Sequence, residues 1–60
     1  MEDEKRELAR LRRVAAEIAA RIHDIVEERL LSDYRELPGL AEALVAACDA
    51  FHAFRQAKGP

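Results

Sequence analysis

Two pairs of side chains in this sequence stand one helical turn apart and could do coordination chemistry: His23 with Glu27, and Cys48 with His52. Residues at i and i+4 of a helix share a face, about 5–6 Å apart at Cβ, so either pair could grip a divalent ion such as nickel, zinc or iron. Two ligands from one helix hold a metal weakly, and a real site must recruit more. His23 lies about two turns before the bend of the hairpin derived below, facing the opening part of the second helix near Glu42, a third oxygen ligand. His52 falls across from the Arg13 region, where neighbouring positive charge disfavours a cation. The simpler reading of His23 is a surface histidine paired with Glu27, while Asp24, about 100° further round, turns away toward Arg21 or the neighbours of Glu28. Cys48 sits beside an apolar seam and reads first as a small buried hydrophobe.

A third chemistry is phosphate recognition. Lys5, Arg6, Arg10, Arg12 and Arg13 cluster near the start of the chain against Glu7 alone, and an exposed arginine stripe can contact RNA phosphates. Glu2, Asp3, Glu4 and Glu17 surround that run, and no aromatic residue that could stack on a base occurs in the first helix. A solvated face with internal ion pairs such as Glu2 with Arg6 is the simpler account, and nucleic acid is not the expected partner. Catalysis finds no support: there is no nucleophile motif or glycine-rich phosphate loop, and a small helical core offers no pocket for a small-molecule substrate.

The elements that position these residues follow from length and pattern. Sixty residues make one domain at most, residues 1–60, and a chain this short buries too little surface to be robust alone. The usual supplements are disulfides, a structural metal or oligomerisation. One cysteine excludes an internal disulfide, and Cys48, His23 and His52 cannot close a four-ligand zinc site. Self-association remains. A lone thiol, a formal net charge of −2 and a charged N-terminal stretch without a long apolar run point to a cytoplasmic protein with no membrane attachment.

In the first half, Leu8, Leu11, Ala15, Ile18, Ile22 and Ile25 recur at spacings of three and four, widened by Val14 and Val26. That is the seam of a bundle helix, over about residues 3–31 and about 40 Å long. Ser32-Asp33, with Glu36 three residues on, predicts a turn at 32–33 and a capping box. A second helix over about residues 34–57 repeats the seam with Leu37, Leu40, Leu44, Ala47, Phe51 and Phe54, carries an irregularity at Pro38-Gly39, and is stopped by Gly59-Pro60. Two such helices joined by a short turn form an antiparallel all-α hairpin. Ile18, Ile22, Leu44 and Phe51 can be covered on both sides only by a second hairpin, so the expected assembly is a homodimeric four-helix bundle, or a dimer of such dimers.

The segment Ile22-His23-Asp24-Ile25-Val26-Glu27-Glu28, the turn Leu31-Ser32-Asp33-Tyr34-Arg35-Glu36-Leu37 and the Ala-rich helix bearing Phe51 resemble a small Rop-like domain family of unknown function associated with nitrogen-fixation genes. That family carries a His-Asp-Leu-type motif before a Thr/Ser-Asp-Tyr/Trp cap, places taken here by His23-Asp24-Ile25 and Ser32-Asp33-Tyr34. The likeness runs from about Leu8 to Lys58, with Glu28-Arg29-Leu30 and Pro38-Gly39 as departures. It implies a cytoplasmic accessory protein acting through self-association and a nitrogenase-related protein partner. Some members are described as metalloproteins, which implies a metal role for His23 with Asp24 or Glu27. Fold analogy alone suggests the alternative, an RNA-binding bundle using the basic face of the first helix.

Overall fold

The computed structural model describes residues 2–58. Helix α1 spans Glu2–Glu28, a four-residue helix α2 spans Leu30–Asp33, a single 3-10 turn follows at Tyr34–Glu36, and helix α3 spans Leu37–Lys58. The two long helices pack along one another as an antiparallel hairpin measuring 44 × 16 × 12 Å. Glu2, Asp3 and Glu4 occupy the first turn of α1, where the helix dipole favours negative charge. The expected stop at Gly59-Pro60 lies outside the described residues.

Both seams face inward as their spacing predicts. Ile25 is only 2% exposed, and the other eleven seam residues are half-buried. Outside the seam, Glu4, Glu7 and Asp33 are the described residues that reach half-burial. Val14 and Val26, expected to widen the seam, stand 37% and 50% exposed. Each lies one residue to the side of a seam position, and a lone pair of helices has nothing to lay over its flanks.

The corner differs from the expected turn at 32–33. Helix α1 ends at Glu28 rather than near residue 31, because Arg29 leaves helical geometry (φ −131°, ψ 30°), and a second break follows at Asp33 (φ −118°, ψ 10°). Backbone hydrogen bonds bridge both breaks, from Arg29 N–H to the Ile25 carbonyl (2.9 Å) and from Asp33 N–H to the Arg29 carbonyl (2.8 Å). The Arg29 guanidinium donates to the Asp33 carboxylate (3.1 Å), and the Ser32 hydroxyl donates to the Arg29 carbonyl (3.3 Å). The Asp33 side chain caps no helix. Engaged by Arg29, it does not form the capping box that its spacing to Glu36 suggested.

The second long helix begins at Leu37 instead of residue 34, which removes the irregularity expected at Pro38-Gly39. Pro38 becomes the second residue of α3, where the missing N–H has no helical acceptor to lose. Gly39 has no positive φ and open space where a Cβ would stand, so it serves as an ordinary first-turn residue.

Candidate functional site

His23 follows the seam residue Ile22 and projects from the flank of α1, its side chain 67% exposed. Its Nε2 lies 3.4 Å from a Glu27 carboxylate oxygen and its Nδ1 lies 4.0 Å from an Asp24 oxygen. Asp24 is therefore turned toward His23 and not toward Arg21. The three residues named from the sequence do come together, but the carboxylates flank opposite ring nitrogens. An ion on either nitrogen would gain only one of them without side-chain rearrangement. Glu42 forms no ion pair with His23, and among the described residues no group of three His, Cys, Asp or Glu side chains is arranged to hold a metal ion.

The second pair lies toward the open end of the hairpin. Cys48 is exposed, against the expectation of a small buried residue. It follows Ala47 and so points about 100° away from the seam line. With His52, Phe51, Arg12 and Ala15 it lines a groove of about 220 Å³ between the two long helices. The His52 ring meets the Phe51 ring edge-on at 5.4 Å. Two guanidinium groups stand over Phe51 itself: Arg12 of α1 at 5.9 Å and Arg55 of α3 at 5.8 Å from the ring centroid. The helix-one arginine that reaches His52 is thus Arg12, within the Arg13 region expected to lie across from it. Reading the basic run as one stripe hid the fact that Arg12 alone directly follows a seam residue, Leu11.

The rest of the basic run is divided. Arg10 forms a two-pronged ion pair with Glu7. That hydrogen bond, helped by the guanidinium charge, holds the Glu7 carboxyl below its ordinary range and raises Arg10. Lys5, Arg6 and Arg13 are exposed. At the other end of the molecule, Leu30, Leu31 and Tyr34 crown the corner, with Leu31 89% exposed and the Arg35 guanidinium 5.5 Å from the Tyr34 ring centroid.

The hairpin, its twin seams and its short corner match the Rop-like family model over residues 1–58. The chain belongs to the Rop-like family. No curated protein and no solved structure gives a significant match. For this Rop-like hairpin, membership accounts for the all-helical architecture and for the seam, and it leaves metal, nucleic acid and protein partner to be argued from the side chains. One further property bears on that argument. The stretch Leu30–Ala57 is long and apolar enough to cross a membrane by length and composition, yet none of it is buried within the hairpin. A helix destined for the core of an assembly has the same composition.

Proposed function

We propose that this Rop-like chain is a non-enzymatic, cytoplasmic accessory protein that works as a homodimeric four-helix bundle and presents its outer surface to a protein partner. The observation that carries this reading is the exposure of the seam: among the described residues Ile25 alone is fully buried, while eleven seam residues and the flanks of α3 retain apolar surface. Burial at about 25 cal/mol per Å² makes that surface the largest untapped source of stability.

The two flanks of the hairpin favour one docking mode. The residues that directly precede the seam positions are Glu7, Arg10, Val14, Glu17, Arg21 and Asp24 on α1, and Glu36, Gly39, Ala43, Ala46, Ala50 and Ala53 on α3. This flank mixes charges on α1 and is nearly all alanine on α3, so a second copy can approach closely and pair its charges. The residues that directly follow the seam positions include Arg12 and Arg55 and no acid at all. Docking there would strip water from two cations without a counter-charge. The second copy therefore lies across the seam and the alanine flank.

A nitrogenase-related partner and a metal-linked role for His23, Asp24 and Glu27 belong to the same reading, supported by the motif resemblance and by the imidazole-carboxylate contacts. The RNA reading has less behind it, since Arg10 is engaged by Glu7 and α1 carries no aromatic residue that could stack on a base. Sedimentation equilibrium at micromolar concentration should give at least twice the 6.8 kDa chain mass. A folded helical monomer under those conditions overturns the assembly, and detergent-dependent solubility would instead point to a membrane role for Leu30–Ala57. Nickel or zinc titration of the same samples should show binding that His23→Ala weakens; unchanged binding, or none, leaves His23 a surface residue.

A further inference from the structure

We propose that the groove between Arg12 and His52 is a binding site for a small organic oxyanion, a carboxylate or a phosphate ester. Arg12, Cys48 and His52 line it, and Arg55 stands over its Phe51 wall; the four directly follow the seam residues Leu11, Ala47, Phe51 and Phe54. In an antiparallel hairpin, one step past the seam on either helix leads to the same flank, which is why residues of α1 and α3 line one groove.

Charge selects the ligand. All twelve residues that follow the seam positions, from Ala9 to Arg55, lack a carboxylate. Among the described residues Arg12 and Arg55 have no acidic partner, whereas Arg10 and Arg29, on other faces, are each held by one. What holds Arg12 and Arg55 is the Phe51 ring, with both guanidinium groups within 6 Å of its centroid. An arginine resting on an aromatic face keeps its in-plane N–H donors free. Two such groups reach the same ring from different helices, and each offers its free N–H donors to the oxygens of a carboxylate or phosphate.

Shape selects it further. The groove, about 220 Å³, is lined by Arg12, Ala15, Cys48, Phe51 and His52, and its wall is almost wholly apolar. It therefore suits an anion that carries a compact apolar body better than a bare ion. Its charged side chains lie on the flank that faces away from the alanine flank, so an oligomer built as described above leaves Arg12, His52 and Arg55 accessible while it covers the seam side of Phe51. Its fate is nonetheless separable from that assembly.

The test is titration of the full chain with phenyl phosphate, benzoate and inorganic phosphate, followed by amide and arginine side-chain NMR shifts, with oligomeric state measured on the same samples. Phenyl phosphate and benzoate should shift Arg12, Cys48, Phe51 and Arg55, and inorganic phosphate should bind more weakly; the stronger organic probe names the headgroup. R12Q and R55Q should each weaken binding on the order of tenfold, the cost of one charge-assisted hydrogen bond. R21Q, on the opposite flank, should leave it unchanged. All three arginines are exposed, so the variants should keep the helical content and assembly of the parent, which circular dichroism and sedimentation verify. Absence of shifts with every probe, or equal weakening by R21Q, overturns the site even if the protein is dimeric. A monomeric protein that still binds through Arg12 and Arg55 sustains the site and removes the bundle.

Discussion

Helices α1 and α3 carry the same seam spacing but differ in everything around it. Helix α1 surrounds its seam with charge, whereas α3 between Leu37 and Ala57 has only Glu42, Asp49 and Arg55 as charged residues. An amphipathic helix states which side is in and which is out. A helix that is apolar nearly all round, and exposed, states that its covering is incomplete. The pair therefore teaches two separate things: α1 fixes the register of the hairpin, and α3 asks for a neighbour.

The largest effects should come from the shared seam. Ile25→Ala, at the most buried side chain, should cost about 2–5 kcal/mol, and Phe51→Ala about 3–5 kcal/mol. The two differ in kind: Ile25 is already covered within one hairpin, so its loss should lower the thermal midpoint at any concentration. Phe51, half-exposed in the hairpin, should show a loss that shrinks on dilution, as mass action requires of a residue buried by association. Equal behaviour of both in a concentration series would erase the distinction between the helices.

A smaller effect should appear when one substitution is made on each helix. Ala50→Lys places a charge on the alanine flank of α3 and should raise the dimer dissociation constant at least about tenfold. Ala20→Lys, on the outward side of α1 with Glu17 and Asp24 one turn to either side, should stay within about ±0.5 kcal/mol. Sedimentation of the two variants in parallel reads this directly, and a dimer indifferent to Ala50→Lys would mean that the copies meet elsewhere.

The smallest effect belongs to α1 alone. Glu7 has its carboxyl lowered from its ordinary value of 4.5, chiefly by the hydrogen bond from Arg10. A carboxyl lowered in the folded state adds stability that is present above the unfolded value and is lost as pH falls through the folded one. Below about pH 4.5, E7Q should therefore converge on the parent in thermal midpoint, while above it the parent should hold a slight lead that added salt reduces. Both groups are solvent-exposed, so a large gap would contradict the geometry.

The hairpin and its inward residues were legible because a spacing of three and four has one helical meaning, and every seam residue read from it is among those the fold covers. The corner was not legible. Nothing in Glu28-Arg29-Leu30 breaks a helix by residue type; Arg29 departs because its side chain and carbonyl find partners in Asp33 and Ser32, and that same bond empties the expected capping box. Around the candidate sites, helical spacing brought His23 to Glu27 correctly. It placed Cys48 inside because a seam position was read more broadly than one helix can supply, and it overlooked Arg12 and Arg55 because their meeting at Phe51 depends on the register between the helices.

The corner has a consequence for how the molecule forms. Because Arg29 and Asp33 keep their backbone hydrogen bonds to the preceding turn while changing direction, the bend is made by local bonds and needs no distant contact to hold it. Seam residues nearest it, Ile25 and Leu37, are joined by a short length of chain, and pairing can then spread outward, each step closing only a slightly longer loop. Such a chain has a low contact order, which places its hairpin among the fast folders, in microseconds to milliseconds. In the proposed dimer the slow, concentration-dependent event is the meeting of two finished hairpins, and until then the exposed length of α3 is a surface that each new copy carries uncovered.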